Sequence, residues 1–278
     1  MFLYGAAPLK QSSIDYFASL DIPLKNMYGL SETTGSSTLN FMSDFSLYHA
    51  GQSIAGCHIK IANPDEEGKG EIRIKGRHVM MGYLKNDQAT LECIDSNGYF
   101  ATGDQGRIDN GKFLKITGRI KELIITAGGE NVAPVPIEDL FKQFCPACSN
   151  IMLVGENQRF MAALITFKVD IDMSTGNPSD KLTPEVAKFF KENVGVDIKT
   201  SQEACNNKAV VDFVQKCVEQ TNKKVVSKAA HIKKFKLIAT DFSIPGGELT
   251  PTMKLKRKVT TKKYQKEVDE IYKAQAKM

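Results

Sequence analysis

The sequence predicts a mixed α/β (α+β) fold, because strand patterns and helix patterns occupy different parts of the chain. In residues 58–76 and 98–118, apolar and polar residues alternate on both sides of turn residues, which is typical of β-hairpins. Two further apolar segments, 151–155 and 161–167, are predicted to form a strand pair. After residue 170, apolar residues recur at helical spacing, as in 184–195. We therefore expect mostly strands in the first half, helices after residue 170, and a return to strand at 235–240.

Composition places the chain among ordinary globular proteins. A length of 278 residues suggests two domains at about 150 residues each. The hydrophobic content of 42% and charged content of 25% are typical of that class. The net charge of +5 is too small to indicate nucleic-acid binding. Apolar runs such as 160–167 are far shorter than the roughly 20 residues of a membrane-spanning helix.

The predicted elements continue along the chain in a consistent order. The Asn110-Gly111 pair suits a tight hairpin turn. Residues 119–134 are predicted to form a strand and a glycine-rich loop, followed by the start of a helix. A new strand–loop–helix unit thus begins near Gly118, which predicts domains at 1–117 and 118–278.

The stretch "NMYGLSETTG" (26–35) has the residue types of a nucleotide site. The Tyr28 ring offers a flat face for a purine, a contact worth about 1–3 kcal/mol in aromatic–base systems. The hydroxyl of Ser31 and the carboxylate of Glu32 suit a phosphate and its magnesium ion. Flanking glycines let the backbone approach a ligand. The alternative is an ordinary turn rich in glycine and hydroxyl residues.

Three other polar residues are also candidates for binding a nucleotide. Asp104 comes after Thr102-Gly103 at a strand end, where its carboxylate could hold the two hydroxyls of a ribose. Arg119 offers a planar fork of donors for ribose or phosphate oxygens. Lys254 follows a Pro/Thr turn, on a segment that could approach a cleft.

Taken together, these stretches resemble the motifs of the adenylate-forming (AMP-binding) superfamily. The matching stretches, in chain order, are "YGLSETTG", "GRHVMMGYLKNDQAT", "GYFATGD", "GRIKELIITAGGENVAPVPIED" and "LTPTMKLKRK". The glycine-rich loop and the ending "DFSIPGGELTPTMKLKRKVTTKKY" are most similar to the bubblegum group of long-chain acyl-CoA synthetases. The resemblance covers essentially the whole chain.

The resemblance implies a two-step ligase reaction and a particular domain arrangement. A fatty acid and ATP form an acyl-adenylate with Mg²⁺, and the thiol of coenzyme A then displaces AMP. Residues 1–117 would be the C-terminal part of the large domain, and residues 118–278 the small mobile domain. Gly118 would lie at the hinge, where many relatives have aspartate and where glycine can absorb a large backbone rotation.

The resemblance also implies roles for individual residues. Tyr28 would stack on adenine, and Ser31 and Glu32 would contact the α-phosphate and Mg²⁺. Lys254 would be the catalytic lysine of adenylation, bridging two anions. The further binding residues form the second adenine wall and its turn, the ribose site and the coenzyme A path: Gly5, Ala6, Ala7 and Gly29; Asp104 and Arg119; Gly128, Gly129, Glu130 and Asn131.

One departure from the family pattern raises an alternative function. The chain has no Gly/Ser/Thr-rich phosphate loop before the tyrosine motif, so it is expected to be the C-terminal part of a ligase. The alternative is a non-catalytic fragment that keeps nucleotide, coenzyme A or membrane-surface binding. A smaller departure is Met253, at a position where many relatives have glycine.

Other features have simpler interpretations. The "CPAC" pair (145–148) lacks zinc partners and is expected to be ordinary core or surface cysteines. No histidine pairs in sequence with a nucleophile, and Asp109 is expected to serve only a turn. The basic segment 254–278 is interpreted as a solvated helix or as a patch for peripheral membrane contact, without nucleic acid.

The sequence also gives an expectation for the cellular address. Six scattered cysteines and no apparent secretory signal indicate an intracellular protein with reduced thiols. The chain is therefore expected in the cytoplasm or on membranes as a peripheral protein. The final residues 276–278 resemble a peroxisomal signal only in part.

Overall fold

The computed structural model describes residues 2–6, 9, 11–41 and 44–273. The chain folds as two compact units, Met1–Lys121 and Glu122–Met278. Each contains both strands and helices, which confirms the predicted mixed α/β class. Residues 276–278, which resemble a targeting signal, lie outside the described residues.

The first sheet of unit 1 carries the tyrosine motif. Its order is β1-β2-β3-β4, with β1 parallel to β2 and the other neighbours antiparallel. The elements are β1 (Phe2–Gly5), α1 (Gln11–Ser19), β2 (Leu24–Leu30), β3 (Gly35–Leu39) and β4 (Gln52–Ser53). A short 3-10 turn (Ser31–Thr33) joins β2 to β3. The motif therefore runs from the end of one strand through a tight turn into the next.

The second sheet of unit 1 is an antiparallel meander. Its strands are β5 (Cys57–Ala62), β6 (Gly70–Gly76), β7 (Phe100–Asp109) and β8 (Phe113–Arg119), with α2 (Asp87–Cys93) before β7. Both predicted hairpins are confirmed. Asn110 and Gly111 have φ values of 52° and 69°, as a type I′ turn requires at its two central residues. Ile72, Ile74 and Leu114 form the centre of this unit's core.

Unit 2 is built on a three-stranded sheet with apolar layers on both faces. The strands of unit 2, three of which form this sheet, are β9 (Ile124–Ile125), β10 (Asn131–Val132), β11 (Cys148–Val154), β12 (Met161–Phe167), β13 (Val169–Ile171), β14 (Pro178–Leu182) and β15 (Ile232–Ile238). The main sheet has the order β11-β12-β15, with β12 antiparallel to β11 and parallel to β15. Every residue of β12 is buried, which explains why all of its residues except Thr166 are apolar.

The helices of unit 2 cover the two faces of this sheet. They are α3 (Pro134–Phe144), α4 (Pro184–Asn193), α5 (Ser201–Asn206), α6 (Lys208–Lys224), α7 (Arg257–Lys263) and α8 (Gln265–Lys273). Ile165 on β12 belongs to the core cluster that includes α3, α4 and α6 residues. Leu164, its neighbour in the chain, belongs to the opposite cluster with α8. Successive residues of a strand point to opposite faces, so one strand supports both layers.

The basic segment is only partly a solvated surface. It forms α7 and α8, and Tyr264, Val268 and Ile271 are buried in the second cluster. Lys258 and Lys262 on α7 are exposed. No helix in the described ranges combines the length and apolar character that a membrane crossing needs.

Gly118, the predicted hinge residue, lies within β8. It pairs with Gln105 of β7 in the ladder. The division between compact units falls three residues later, after Lys121. The rotation of one domain about Gly118 stays a prediction.

Candidate functional site

Tyr28, Asp104 and Arg119 meet in unit 1, as the nucleotide interpretation requires. The Tyr28 hydroxyl donates to Asp104 Oδ2 at 2.7 Å, and Arg119 Nε lies 3.0 Å from Asp104 Oδ1. The Asp104 side chain is 7% exposed, whereas that of Arg119 is 56% exposed. Each Asp104 oxygen therefore has a protein partner, while Arg119 keeps further donors for a ligand.

The β7 backbone places Asp104 at this point. Gly103 has φ of 69°, in the left-handed region that favours glycine. The Asp104 amide donates to Thr102 Oγ1 at 3.0 Å, and that hydroxyl donates to the Ile72 carbonyl at 2.7 Å. The "TGD" sequence thus lies where the pairing of β7 with β6 shifts register, and the carboxylate there contacts Tyr28.

Tyr28 is also a core residue of unit 1. It is 9% exposed and packs with Ile72, Ile74 and Leu114. Burial, followed by the nearby Asp104 carboxylate, raises the pKa of the Tyr28 hydroxyl well above its usual range. The hydroxyl therefore stays protonated as a donor to Asp104. Stacking on adenine would use the small part of the ring that is left uncovered, and it stays a prediction.

Glu32 and Ser31 lie in the 3-10 turn that follows β2. Ser31 is exposed, and the Glu32 side chain accepts a hydrogen bond from the Tyr83 hydroxyl at 3.0 Å. The Met80 amide donates to the Glu32 carbonyl at 2.7 Å. Burial and the Glu32 carboxylate raise the pKa of Tyr83 to about 12. Tyr83 is thus a contact of the candidate site residue Glu32 that sequence reasoning missed, although it lies in one of the matching stretches.

The segment expected to form the second adenine wall is described only in part. Gly5 ends β1, and Ala6 follows with φ of 64°; Ala7 lies outside the described residues. Gly29 has a packing reason of its own. A Cβ at that position would lie 1.7 Å from the Gly35 carbonyl oxygen, so the β2–β3 approach admits no side chain.

The predicted coenzyme A segment forms a tight turn in unit 2. The Gly129 amide donates to the Thr126 carbonyl at 2.9 Å, and the Glu130 amide donates to Thr126 Oγ1 at 3.2 Å. Residues 127–131 are exposed, and Gly129 has φ of 80°. The turn therefore presents Gly128, Gly129 and Glu130 to solvent, with Asn131 at the start of β10.

Lys254 lies at the end of a hydrogen-bonded hairpin in unit 2. Thr250 N–H donates to the Lys254 carbonyl at 2.8 Å, and Lys254 N–H donates to Thr250 Oγ1 at 3.0 Å. Lys254 is exposed. Met253 has φ of 60°, in the left-handed region that favours glycine, the residue that the resemblance gives many relatives at this position.

A buried ion pair next to this hairpin was also missed by sequence reasoning. Arg257 Nη1 and Nη2 donate to Glu138 Oε1 and Oε2 at 2.7 and 2.5 Å. Burial lowers the pKa of Arg257, but the Glu138 carboxylate more than offsets this, so the pKa is raised. Arg257 is one of several basic residues in "MKLKRK", so only three-dimensional contact distinguishes it.

The sequence shows no histidine paired with a nucleophile, yet the structure joins His49 to a serine and a carboxylate. Ser46 Oγ lies 2.7 Å from His49 Nδ1, and His49 Nε2 lies 2.9 Å from Asp109 Oδ2. Asp109 also accepts Arg107 Nε at 2.7 Å, so it serves more than a turn. The hydrogen bond from His49, with Arg107, lowers the pKa of Asp109.

The surroundings of this series indicate a structural role. The Asn40 side chain accepts the Ser46 amide at 3.1 Å and donates to the Ser46 and His49 carbonyls at 3.1 and 3.0 Å. Ser46 is therefore held inside a loop network. The three side chains fasten that loop to the end of β7.

The "CPAC" cysteines lie in the core, as one of the two sequence interpretations had it. Cys145 is 0% exposed and Cys148 is 3% exposed. Cys217 on α6 lies close to both, with Cys217 Sγ 3.2 Å from the Phe144 carbonyl oxygen. Burial is the largest cause that raises the pKa of Cys148 to about 12, so this thiol stays neutral at physiological pH.

Comparison with protein families matches both parts of the chain. A family described as "AMP-binding enzyme" matches residues 1–84. A family described as "AMP-binding enzyme C-terminal domain" matches residues 121–195 and 189–276. The predicted superfamily is thereby confirmed.

Curated relatives agree with the predicted group. The chain is 46% identical over 269 residues to long-chain-fatty-acid–CoA ligase ACSBG2 of Gallus gallus, covering 96% of this chain and 35% of the relative. It is 43% identical over 274 residues to long-chain-fatty-acid–CoA ligase ACSBG1 of Homo sapiens, covering 98% of this chain and 38% of the relative. The chain thus spans little more than a third of the length of these relatives.

Solved structures share the fold. The adenylation domain of a carboxylate reductase from Mycobacterium chelonae gives a TM-score of 0.71 at 20% identity, covering 97% of this chain and 38% of that one. O-succinylbenzoate coenzyme A synthetase from Bacillus subtilis, in complex with ATP and magnesium ion, gives a TM-score of 0.61 at 22% identity. The match covers 92% of this chain and 45% of that one.

Proposed function

Because the chain belongs to the AMP-binding enzyme family, we propose that it is the C-terminal part of a long-chain fatty acid–CoA ligase. The overall reaction would join a fatty acid to coenzyme A at the expense of ATP, through an acyl-adenylate. The observation that carries this proposal is the Tyr28–Asp104–Arg119 contact. It joins residues from three separate matching stretches and leaves the Arg119 fork exposed to a ligand.

Unit 1 would bind the nucleotide. The exposed donors of Arg119 suit ribose or phosphate oxygens, with Asp104 holding the guanidinium in place. Gly5 and Ala6 would form the second wall of the adenine site, at the end of β1. Ser31, exposed beside Glu32, would donate its hydroxyl to the α-phosphate.

The donor set at Glu32 fits magnesium. Mg²⁺ prefers oxygen ligands and is commonly held by one or two carboxylates together with substrate phosphates. Within the described part of the chain, no three His, Cys, Asp or Glu side chains are grouped for a metal ion, and such nucleotide-linked binding needs no such group. Tyr83 would hold one Glu32 oxygen and orient the carboxylate. When bound, the ion would neutralise phosphate charge.

Unit 2 would supply the Lys254 ammonium for adenylation and the loop that lines the coenzyme A path. A carboxylate and a triphosphate repel each other, and the Lys254 ammonium would offset this repulsion and the charge that develops on the α-phosphoryl oxygens. The exposed turn around Gly128 would let the backbone approach the pantetheine arm of coenzyme A.

The direct test is formation of acyl-CoA by the full-length protein that carries this chain. Palmitate, ATP, Mg²⁺ and coenzyme A should yield palmitoyl-CoA, AMP and pyrophosphate, detected by mass spectrometry. Short and aromatic acids serve as comparison substrates. If no acid of any chain length gives a thioester, the proposed function is wrong.

The coenzyme A path can be tested with two glycines. A Cβ on Gly128 would have Thr126 Oγ1 at 3.8 Å as its nearest neighbour, so Gly128→Ala should change stability by less than about 0.5 kcal/mol. We expect it to raise KM for coenzyme A while adenylation is unchanged. Gly195→Ala is the matched control for fold effects, because Gly195 lies in the same unit and is assigned to no site. It forces alanine to φ of 79° and should cost about 1–2 kcal/mol in the free energy of unfolding.

An unchanged KM for coenzyme A in Gly128→Ala would place the ligand elsewhere. Steady-state kinetics with varied coenzyme A, together with thermal unfolding of both variants, gives the two required measurements.

We also propose an intracellular address with peripheral membrane contact. The free cysteines and the exposed lysines of α7 support it. Anionic lipids attract such lysines with about 1 kcal/mol each near the surface.

A further inference from the structure

The Glu138–Arg257 pair is a fork-to-fork contact inside unit 2. Both terminal nitrogens of Arg257 donate to the two carboxylate oxygens, at 2.7 and 2.5 Å. The side chains are 16% and 8% exposed for Arg257 and Glu138. Two parallel hydrogen bonds fix the rotation of a guanidinium as well as its position.

Glu138 is itself held rigidly. It lies on α3, between the core residues Ile137 and Phe141. Its Oε1 also accepts the Leu153 amide of β11 at 2.7 Å. The carboxylate therefore joins α3 to the central sheet, and Arg257 extends this connection to the first residue of α7.

Arg257 lies three residues after Lys254. An extended segment of three residues spans about 10 Å, so the backbone of Lys254 lies close to this anchor. Lys256 N–H donates to the Glu248 carbonyl at 2.7 Å, which closes the base of the hairpin beside Arg257. Displacement of Arg257 would thus be transmitted to the hairpin that presents Lys254.

A second anchor holds the other strand of the hairpin. Glu248 is 1% exposed, and its Oε1 accepts the Tyr264 hydroxyl at 3.2 Å and also contacts Lys263 Nζ. The hairpin is therefore fixed at its base on both sides, by Glu248 on one strand and by Arg257 after the other.

Stability alone explains this arrangement poorly. Burial of two charges carries a desolvation penalty, and well-packed apolar residues can often replace a buried ion pair with little loss of stability. What apolar residues do not supply is a fixed orientation at the start of α7.

We propose that Glu138 and Arg257 are positioning residues that set where the Lys254 ammonium is presented for adenylation. This inference rests on the function proposed above for Lys254. It adds two residues that touch neither substrate nor cofactor.

The test uses variants of the full-length protein that carries this chain. Arg257→Lys keeps the charge but loses the fork. The double variant Glu138→Met with Arg257→Met removes the pair without leaving one charge unpaired. The control is Lys236→Met, which removes an exposed ion pair to Glu270 at 3.2 Å in the same unit.

Amide hydrogen exchange tests the pair without any reaction. We expect Arg257→Lys and the double variant to raise exchange at the Lys254 and Lys256 amides by about 10-fold or more, as local opening would. Exchange at Leu164 in β12 should be unchanged, and Lys236→Met should change neither. Unchanged exchange at the hairpin in both pair variants would overturn the inference.

Half-reaction kinetics test the positioning role. We expect adenylation kcat to fall about 10-fold to 100-fold in both pair variants, with KM for ATP unchanged, because a misplacement of 1 Å can cost that much. Thioester formation from supplied acyl-adenylate should be normal. Adding Arg257→Lys to Lys254→Ala should cause no further loss of adenylation rate, since both changes remove the same contribution, that of the Lys254 ammonium.

The outcomes separate the two proposals. Additive losses, or normal adenylation by the folded double variant, would show that the pair does not act through Lys254. Normal adenylation by Lys254→Ala would reject the function proposed for that lysine, while the exchange data would still show whether the pair orders the hairpin.

Discussion

Replacing Lys254 with alanine is expected to lower the rate of acyl-adenylate formation by about 10²–10³, or about 3–4 kcal/mol in the activation barrier. The reason is that carboxylate and triphosphate approach each other as anions, and the ammonium stabilises the charge that grows on the α-phosphoryl oxygens. Lys254 is exposed on a hairpin, so its loss should leave the fold intact. The measurement is pyrophosphate release in a single turnover with fatty acid, ATP and Mg²⁺.

The second half-reaction provides the internal control. Thioester formation from supplied acyl-adenylate needs no contact between ATP and carboxylate, so Lys254→Ala should leave it unchanged. Lys256→Ala is a matched variant, because Lys256 is exposed two residues further along the chain and binds the hairpin through its backbone amide, which the substitution keeps. Equal losses in both half-reactions would contradict the role given to Lys254.

Local sequence patterns predicted the parts of the fold that depend on near neighbours. Asn110 and Gly111 form the expected type I′ turn, because positive φ at both positions is a property of the two residues themselves. Within 184–195, where helical spacing is predicted, α4 forms and buries Val186 and Phe190. In such cases the periodicity and the turn chemistry act within a few residues.

Contacts between distant residues could not be predicted in this way. Tyr83 contacts Glu32 across 51 positions, and Arg257 contacts Glu138 across 119. His49 reaches Asp109 across 60 positions. No spacing in the sequence encodes these pairs, since they form only when separate strands and helices pack. The resemblance brought Tyr28, Asp104 and Arg119 together as candidates, but not the hydrogen bonds that join them.

Two candidate site residues, Gly29 and Tyr28, also have a structural reason for their residue type. Gly29 was assigned to the nucleotide site, yet the nearby Gly35 carbonyl already excludes a side chain there. Tyr28 was chosen for its ring face, yet most of the ring packs in the core. A loss of activity on mutating either residue would therefore need a stability measurement beside it before a binding role is inferred.

Core packing in unit 2 gives the second large expected effect. Phe190 is 0% exposed, and its ring lies 5.4 Å from that of Phe167 at an interplanar angle of 88°. Phe190→Ala removes this edge-to-face contact and leaves a cavity between α4 and the sheet. We expect a loss of about 3–5 kcal/mol in the free energy of unfolding of unit 2.

The neighbouring Phe189→Ala is the matched control for this core variant. Phe189 is only partly buried, so its replacement should cost clearly less than that of Phe190. Amide hydrogen exchange, read separately at Leu164 in unit 2 and at Ile72 in unit 1, would assign the loss to one unit. Because the two units have separate cores, protection at Ile72 should persist in Phe190→Ala. Equal loss of protection at both residues would instead show that the units unfold as one cooperative body.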